Sequence, residues 1–275
     1  MSGALRSLRI AFVGGGVMGE AIMRGLLGRE LVAPEQIIVS DPVAARRAVL
    51  QESLGVRATA ANAEAVEGAH LVVFAVKPQI LDKVLDGLKG HVSSKALVLS
   101  IVAGARIARY VEALGTPAVV RVMPNTPGQV GQGASLWTAT PATGEAQRDQ
   151  ARALVSALGV EVYSDKEGDV DMATALSGSG PAYVFLFIEA LTDAGVQIGL
   201  SRDVAATLAL QTVLGSASYA RQVGEHPAVL RNQVTSPGGT TAAALFEMEK
   251  GGLRALVAQA VVAAYNKARE LGEQS

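Results

Sequence analysis

The chain has 275 residues, a formal net charge of −1 at pH 7 and no cysteine. Disulfides, thiolate nucleophiles and zinc–sulfur sites are therefore excluded, and the charge balance alone does not suggest nucleic acid or an anionic membrane as a partner. Mean hydropathy is high at +0.31 while aromatics make up only 4% of residues, so closely packed helices and a self-association surface are the expected sink for the apolar excess.

The first apolar segment, Leu8 to Val13, reads as a strand. It runs into Gly14-Gly15-Gly16-Val17-Met18-Gly19, and a helix follows through Leu27. The glycines fit G-x-G-x-x-G at Gly14, Gly16 and Gly19. Gly14 allows the tight turn, Gly16 lets backbone approach a pyrophosphate, and Gly19 lets the helix sit close on the sheet. With Val17 and Met18 the loop turns free N–H groups toward an anion. A second strand, Gln36 to Ser40, ends at Asp41, about 20 residues past Gly19, where a dinucleotide fold places its ribose-binding residue. A dinucleotide-cofactor site, rather than a purely structural turn, is the expected use of this arrangement. The first apolar segment breaks at the glycines and has no small-residue cleavage site after it, so no signal peptide and a cytoplasmic location are expected.

Further apolar runs follow at Leu71–Val76, Ala96–Ile101 and Ala118–Val122, with a short strand at Glu161–Tyr163. They are continuous rather than alternating, as in parallel strands covered on both faces. Helices are expected at 44–54, 62–67, 80–88, 107–114 and 145–158. Residues 1–164 therefore read as a doubly wound sheet, which binds ligands at the carboxyl ends of its strands. Three loops lie there: Ala75-Val76-Lys77-Pro78-Gln79, Val102-Ala103-Gly104 and Met123-Pro124-Asn125-Thr126-Pro127. Lys77 is a candidate for a ribose or a carboxylate, or else a solvated turn lysine. Asn125, between two prolines, either presents backbone to a nicotinamide or makes an ordinary turn.

Residues 165–275 read as all-helical, with helices at 170–176, 181–198, 203–222, 228–233, 240–249 and 253–271. The longest apolar stretch, Ala182–Ile188, is interrupted by Glu189 and Asp193 and is too short to cross a bilayer, so no membrane span is expected. Two loops deliver small hydroxyl residues and bare backbone to helix starts: Leu176-Ser177-Gly178-Ser179-Gly180-Pro181 and Thr235-Ser236-Pro237-Gly238-Gly239-Thr240-Thr241. They suit a carboxylate or phosphate, or else cap their helices. His70, His91 and His226 show no metal-ligand spacing, so no metal is expected. A nicotinamide site without an evident general base suits an electrophilic substrate such as a cyclic imine.

Together these motifs resemble pyrroline-5-carboxylate reductase over nearly the whole chain. The resemblance rests on Phe12–Gly19, Ala75–Gln79, Val122–Pro127, Leu176–Tyr183 and Thr235–Thr241. It implies an α/β fold, with a Rossmann-type NAD(P)-binding sheet (1–164) followed by an all-helical dimerisation and substrate domain (165–275). It implies hydride transfer from NADPH or NADH to 1-pyrroline-5-carboxylate, giving L-proline. Thr241 is the implied catalytic residue near the imine nitrogen, with Ser236, Gly238 and Gly239 nearer the substrate carboxylate. Thr240 and Ser179 complete the expected substrate set. The cofactor set is Gly14, Gly16, Val17, Met18, Gly19, Ser40, Asp41, Ala75, Val76, Lys77, Pro78 and Asn125. The resemblance further implies homodimers with active sites built from both subunits, and larger assemblies up to decamers. Asp41 would favour a ribose 2′-OH over a 2′-phosphate, which Arg46 and Arg47 would offset if they reach the site. Two alternatives share the first domain. A β-hydroxyacid dehydrogenase would need a lysine followed three residues later by asparagine, which neither Lys250 nor Lys267 provides. A non-catalytic nucleotide sensor would leave the Ser236–Thr241 loop without a use.

Overall fold

The computed structural model describes residues 3–273. Its centre is an eight-stranded sheet in the order β3-β2-β1-β4-β5-β6-β7-β8. The strands are β1 (Ile10–Val13), β2 (Ile37–Ser40), β3 (Arg57–Thr59), β4 (Leu71–Phe74), β5 (Leu97–Ser100), β6 (Val119–Met123), β7 (Gly133–Ala139) and β8 (Gly159–Tyr163). All neighbours pair in parallel except β6 and β7, which are antiparallel. The order 3-2-1-4-5-6 is that of the doubly wound sheet expected from the sequence.

Successive strand residues feed opposite faces. Ile10, Phe12, Leu71 and Val73 enter one apolar layer, with Ile22, Met23 and Leu26 of α1 (Val17–Gly28). Ala11, Val13, Val72 and Phe74 enter the other, with Leu81 and Leu85 of α4 (Leu81–Asp86) and Tyr110 of α5 (Ile107–Leu114). The remaining sheet helices are α2 (Ala44–Leu54), α3 (Asn62–Val66) and α6 (Glu145–Ser156). Each large side chain so buried contributes about 1.5–3 kcal/mol, which is why the strands carry unbroken apolar runs. Trp137 of β7 is fully buried, with its ring edge-on to Tyr163 of β8 at 4.7 Å.

Two strands escape the sequence reading. β3 has three residues and sits at the sheet edge, half exposed. β7 begins with small residues and alternates between buried and half-buried positions, so it has no continuous apolar run.

Among the described residues no strand follows Tyr163. The helices are α7 (Gly168–Ala173), a π turn at Thr174–Gly178, α8 (Gly180–Gln197), α9 (Arg202–Val223), α10 (Pro227–Gln233), α11 (Thr240–Lys250) and α12 (Leu253–Glu273). By packing, the chain forms two compact units, residues 1–179 with 264–275, and residues 180–263. The first unit thus extends past residue 164, because α7 packs on β6 and β7 and the end of α12 packs beside Gly104. In the second unit α8 and α9 lie close: a Cβ on Gly195 would meet that of Ala205 at 2.9 Å. This unit buries little of its own apolar surface. Phe185, Leu186, Ile198, Leu214, Phe246 and Leu256 are each more than half exposed.

The helical run Gly168–Gln197 is long and apolar enough, by length and composition, to cross a membrane. The apolar window is thus longer than Ala182–Ile188, the stretch on which the sequence expectation rests.

Candidate functional site

The glycine loop turns sharply off β1. Gly14 has φ +101°, and its N–H donates to the Ser40 carbonyl at 2.9 Å. A Cβ on Gly14 would lie 2.7 Å from the Ala75 carbonyl oxygen, and one on Gly19 would lie 2.8 Å from that of Gly14. Both glycines are fixed by backbone crowding. Gly16 differs: nothing lies within 4 Å of the place its Cβ would take. It is exposed and stands at the N-cap of α1, which has no side-chain cap. The first-turn N–H groups, including those of Val17 and Met18, thus open onto free space beside a glycine. That is the form a pyrophosphate requires, so the residues present fit a dinucleotide.

Asp41 closes the loop from the second strand. Its Oδ2 accepts from the Gly15 N–H at 3.1 Å and its Oδ1 from the Val43 N–H at 2.9 Å. Gly15 occupies a free position of the motif, yet a Cβ there would lie 2.6 Å from Leu50 Cδ1. Motif spacing alone misses its importance.

Both arginines after Asp41 reach this end of the sheet. Arg46 donates through Nε to the Gly15 carbonyl and through Nη2 to Glu20. Arg47 donates to the carbonyls of Asp41 at 2.8 Å and Pro42 at 3.0 Å. Burial raises the Glu20 carboxyl, but the hydrogen bonds and charges of Arg46 and Arg24 outweigh it. Glu20 is held below its ordinary value. Ser40 is fully buried, and its hydroxyl donates to the Phe12 carbonyl at 3.3 Å, so it offers no side-chain group at the surface.

The loops after β4 and β6 lie on the same carboxyl side of the sheet. The Ala75 N–H donates to Val13 at 2.9 Å, which keeps the Ala75–Val76 backbone beside the glycine loop. Lys77 is exposed and precedes a single 3₁₀ turn at Pro78–Ile80. Asn125 is half-buried and its side chain is committed. Its Oδ1 accepts from the Ala134 N–H at 2.8 Å, and its Nδ2 donates to the Ser177 carbonyl at 3.0 Å. What it has left for a ligand is chiefly backbone, at the start of the 3₁₀ turn Thr126–Val130.

The second hydroxyl-rich loop does not cap its helix, and in the first the serine hydroxyls turn back on α7 and the π turn. Ser177 and Ser179 donate to the carbonyls of Ala173 and Thr174, both at 3.1 Å. In the second unit the N-cap of α11 is Gly239, with no side-chain cap, and Thr240 and Thr241 are the first two helical residues. Gly238 has φ +70°, and the Gly239 N–H donates to the Ser236 carbonyl at 3.1 Å. A Cβ on Gly239 would strike the Ser236 hydroxyl at 2.4 Å, so only glycine leaves that hydroxyl in place. Thr241 is half-buried and Thr240 exposed. His226 is a structural cap: its Nδ1 accepts from the Ala228 N–H at 3.1 Å.

Comparison with known proteins gives two family models, one for each part of the chain. Residues 167–271 match the family model for pyrroline-5-carboxylate reductase dimerisation, and residues 9–104 match that for coenzyme F420-dependent NADP oxidoreductases. The pyrroline-5-carboxylate reductase of Synechocystis is 45% identical over 98% of this chain and all of its own length. That of Pseudomonas aeruginosa is 45% identical over 97% of each chain. Among solved structures, a pyrroline-5-carboxylate reductase from Coxiella burnetii superposes with a TM-score of 0.91 at 38% identity, covering 97% of this chain and 99% of that one. The Plasmodium falciparum pyrroline carboxylate reductase with NADP bound gives 0.87 at 33% identity over the same shares. The chain belongs to the pyrroline-5-carboxylate reductase family.

Proposed function

We propose that this protein reduces the cyclic C=N bond of 1-pyrroline-5-carboxylate to give L-proline, using NADPH or NADH. The observation that carries this reading is likeness at 45% identity along the entire length of a named reductase, through both the nucleotide-binding sheet and the helical part. The chemistry needs two anion sites and one polar hydrogen, and the chain offers candidates for each.

The N-terminus of α1 at Gly14–Gly19 takes the pyrophosphate, with Asp41 at the adenosine ribose and the Ala75–Pro78 and Asn125 loops toward the nicotinamide. The N-terminus of α11, opened by Gly238 and Gly239 and flanked by Ser236, takes the substrate carboxylate. When bound, the nicotinamide supplies the hydride. The Thr241 hydroxyl donates to the ring nitrogen, which gains electron density as the C=N bond is reduced. This donor therefore matters more in the transition state than in the ground state. Since Gly239 already holds the N-cap position, Thr241 is not needed to cap the helix. Ser179 and Thr240 are secondary substrate contacts.

We further propose that residues 165–275 form the dimerisation and substrate domain, and that the exposed apolar helices there are covered by a second copy. The decamer is the larger assembly and the cytoplasm the site of action.

Loss of NADPH absorbance on adding 1-pyrroline-5-carboxylate tests the activity directly. Thr241→Ala should lower kcat about tenfold or more, as expected for a lost polarising hydrogen bond, with nucleotide affinity unchanged. A wild-type protein that leaves NADPH untouched would overturn the activity. A Thr241→Ala variant with full kcat would remove Thr241 from catalysis.

A further inference from the structure

One face of β6 grips the segment that ends in Ser179. Val120 and Val122 point into the layer under α1. Alternation sends Arg121, Met123 and, past the strand end, Asn125 to the other side. Each of the three meets the same piece of chain. Arg121, 2% exposed, donates through Nη2 to Asp171 at 2.5 Å and through Nη1 to Glu167 at 3.3 Å. The Met123 methyl lies 2.7 Å from where a Cβ on Gly178 would stand. Asn125 donates to the Ser177 carbonyl. Glu167 also accepts from the Ile107 N–H at 2.8 Å, which ties the start of α5 into the cluster.

The gripped segment includes the π turn at Thr174–Gly178, a geometry that recurs at functional sites. β6 pairs with a strand on each side, so its register is fixed. The Arg121 Nε makes no hydrogen bond among the described residues, so the hold on α7 runs through the two Nη groups. Apolar contacts would tolerate sliding. A buried guanidinium does not, because slippage strands its charge.

We propose that Arg121 and Asp171 are a positioning pair for the reduction: they set where Ser177–Ser179 stands against the Asn125 loop. The inference rests on the reading of Asn125 and Ser179 as ligand contacts given above. Neither Arg121 nor Asp171 touches a reactant. They act by fixing the distance between two loops that do, and a displacement of about 1 Å costs up to about a hundredfold in rate.

Two variants test it. Asp171→Asn keeps the shape and an oxygen facing Arg121 but removes the charge. Gly178→Ala places a methyl against the flexible end of Met123, which yields without unfolding, and shifts the turn slightly. In both, amide exchange in residues 168–179 should quicken and kcat should fall about tenfold, with NADPH Kd moving less than twofold. Unchanged kcat in a folded variant with faster exchange would reduce the pair to a structural role and overturn the proposal, as would an equal loss of NADPH affinity. If Asp171→Asn fails to fold, Glu167→Gln, which removes the half-exposed charged arm of the same Arg121 hold, takes its place beside Gly178→Ala. Wild-type turnover is measured beside them, so failure of the proposed activity shows in the parent protein and is distinguishable from failure of the pair.

Discussion

Gly14 and Gly16 are two residues apart, yet alanine at each should fail in a different way. At Gly14, φ is +101°, a conformation that side chains rarely adopt. Strain of this kind costs about 1–3 kcal/mol. The added Cβ would also lie 2.7 Å from the Ala75 carbonyl, where only backbone movement gives relief. A total of about 2–4 kcal/mol lowers Tm by about 5–15 °C for a domain of this size. At Gly16, φ is −66° and nothing lies within 4 Å of the new Cβ. Alanine there should leave Tm within about 2 °C of the parent, or raise it slightly by restricting the unfolded chain. Its methyl instead occupies the approach of the pyrophosphate. Losing one N–H bond to a charged oxygen costs about 1.5–3 kcal/mol. That raises Kd for NADPH on the order of ten- to a hundredfold. Melting without nucleotide, beside equilibrium dialysis with NADPH, separates the two effects. A Gly16→Ala variant that binds NADPH like the parent would show that the phosphates do not rest on the start of α1. A Gly14→Ala variant that melts like the parent would refute the crowding argument.

Three further outcomes are expected. Asp41→Ser should shift the ratio of kcat/KM toward NADPH over NADH. An unmoved ratio would mean that the carboxylate, already bonded to Gly15 and Val43, serves only to hold the loop. Light scattering at micromolar concentration should show a dimer or larger, and a stable, active monomer would leave the exposed faces of α8 to α12 unexplained. Glu20→Gln should destabilise at neutral pH. Glu20 titrates below its ordinary value when folded, so its contribution is present above the unfolded value and disappears as pH falls through the folded one. Denaturation midpoints of parent and variant should therefore converge in acid, and a gap that persists there would contradict the ion pairs with Arg24 and Arg46.

The centre of the sheet is legible because β1, β2, β4 and β5 are runs of apolar residues ending at a turn, and α2 and α5 begin and end where their periodicity does. β7 is not legible because Gly133, Ala134 and Ser135 give no apolar signal and its pairing with β6 is antiparallel. The same division holds at the site. A glycine fingerprint advertises itself by spacing, and so does the uncapped start of α11. Arg121 does not. Within Val119–Val122 it reads as an interruption of a strand, and its partners lie 46 and 50 residues further along. Nothing local connects them. Gly15 and Arg46 are likewise missed as a pair, since a carbonyl bonded by a distant guanidinium leaves no pattern in sequence.

The sole tryptophan also shapes how this protein can be watched. Trp137 is the one indole in the chain, sealed between β7 and the Tyr163 ring. Its emission therefore reports on the sheet alone. An emission melt and a circular-dichroism melt of this protein are then two different experiments. The first follows the packing around β7 and β8, and the second follows helix, which both compact units carry. The interval between the two midpoints measures how far helix outlasts the packing around Trp137.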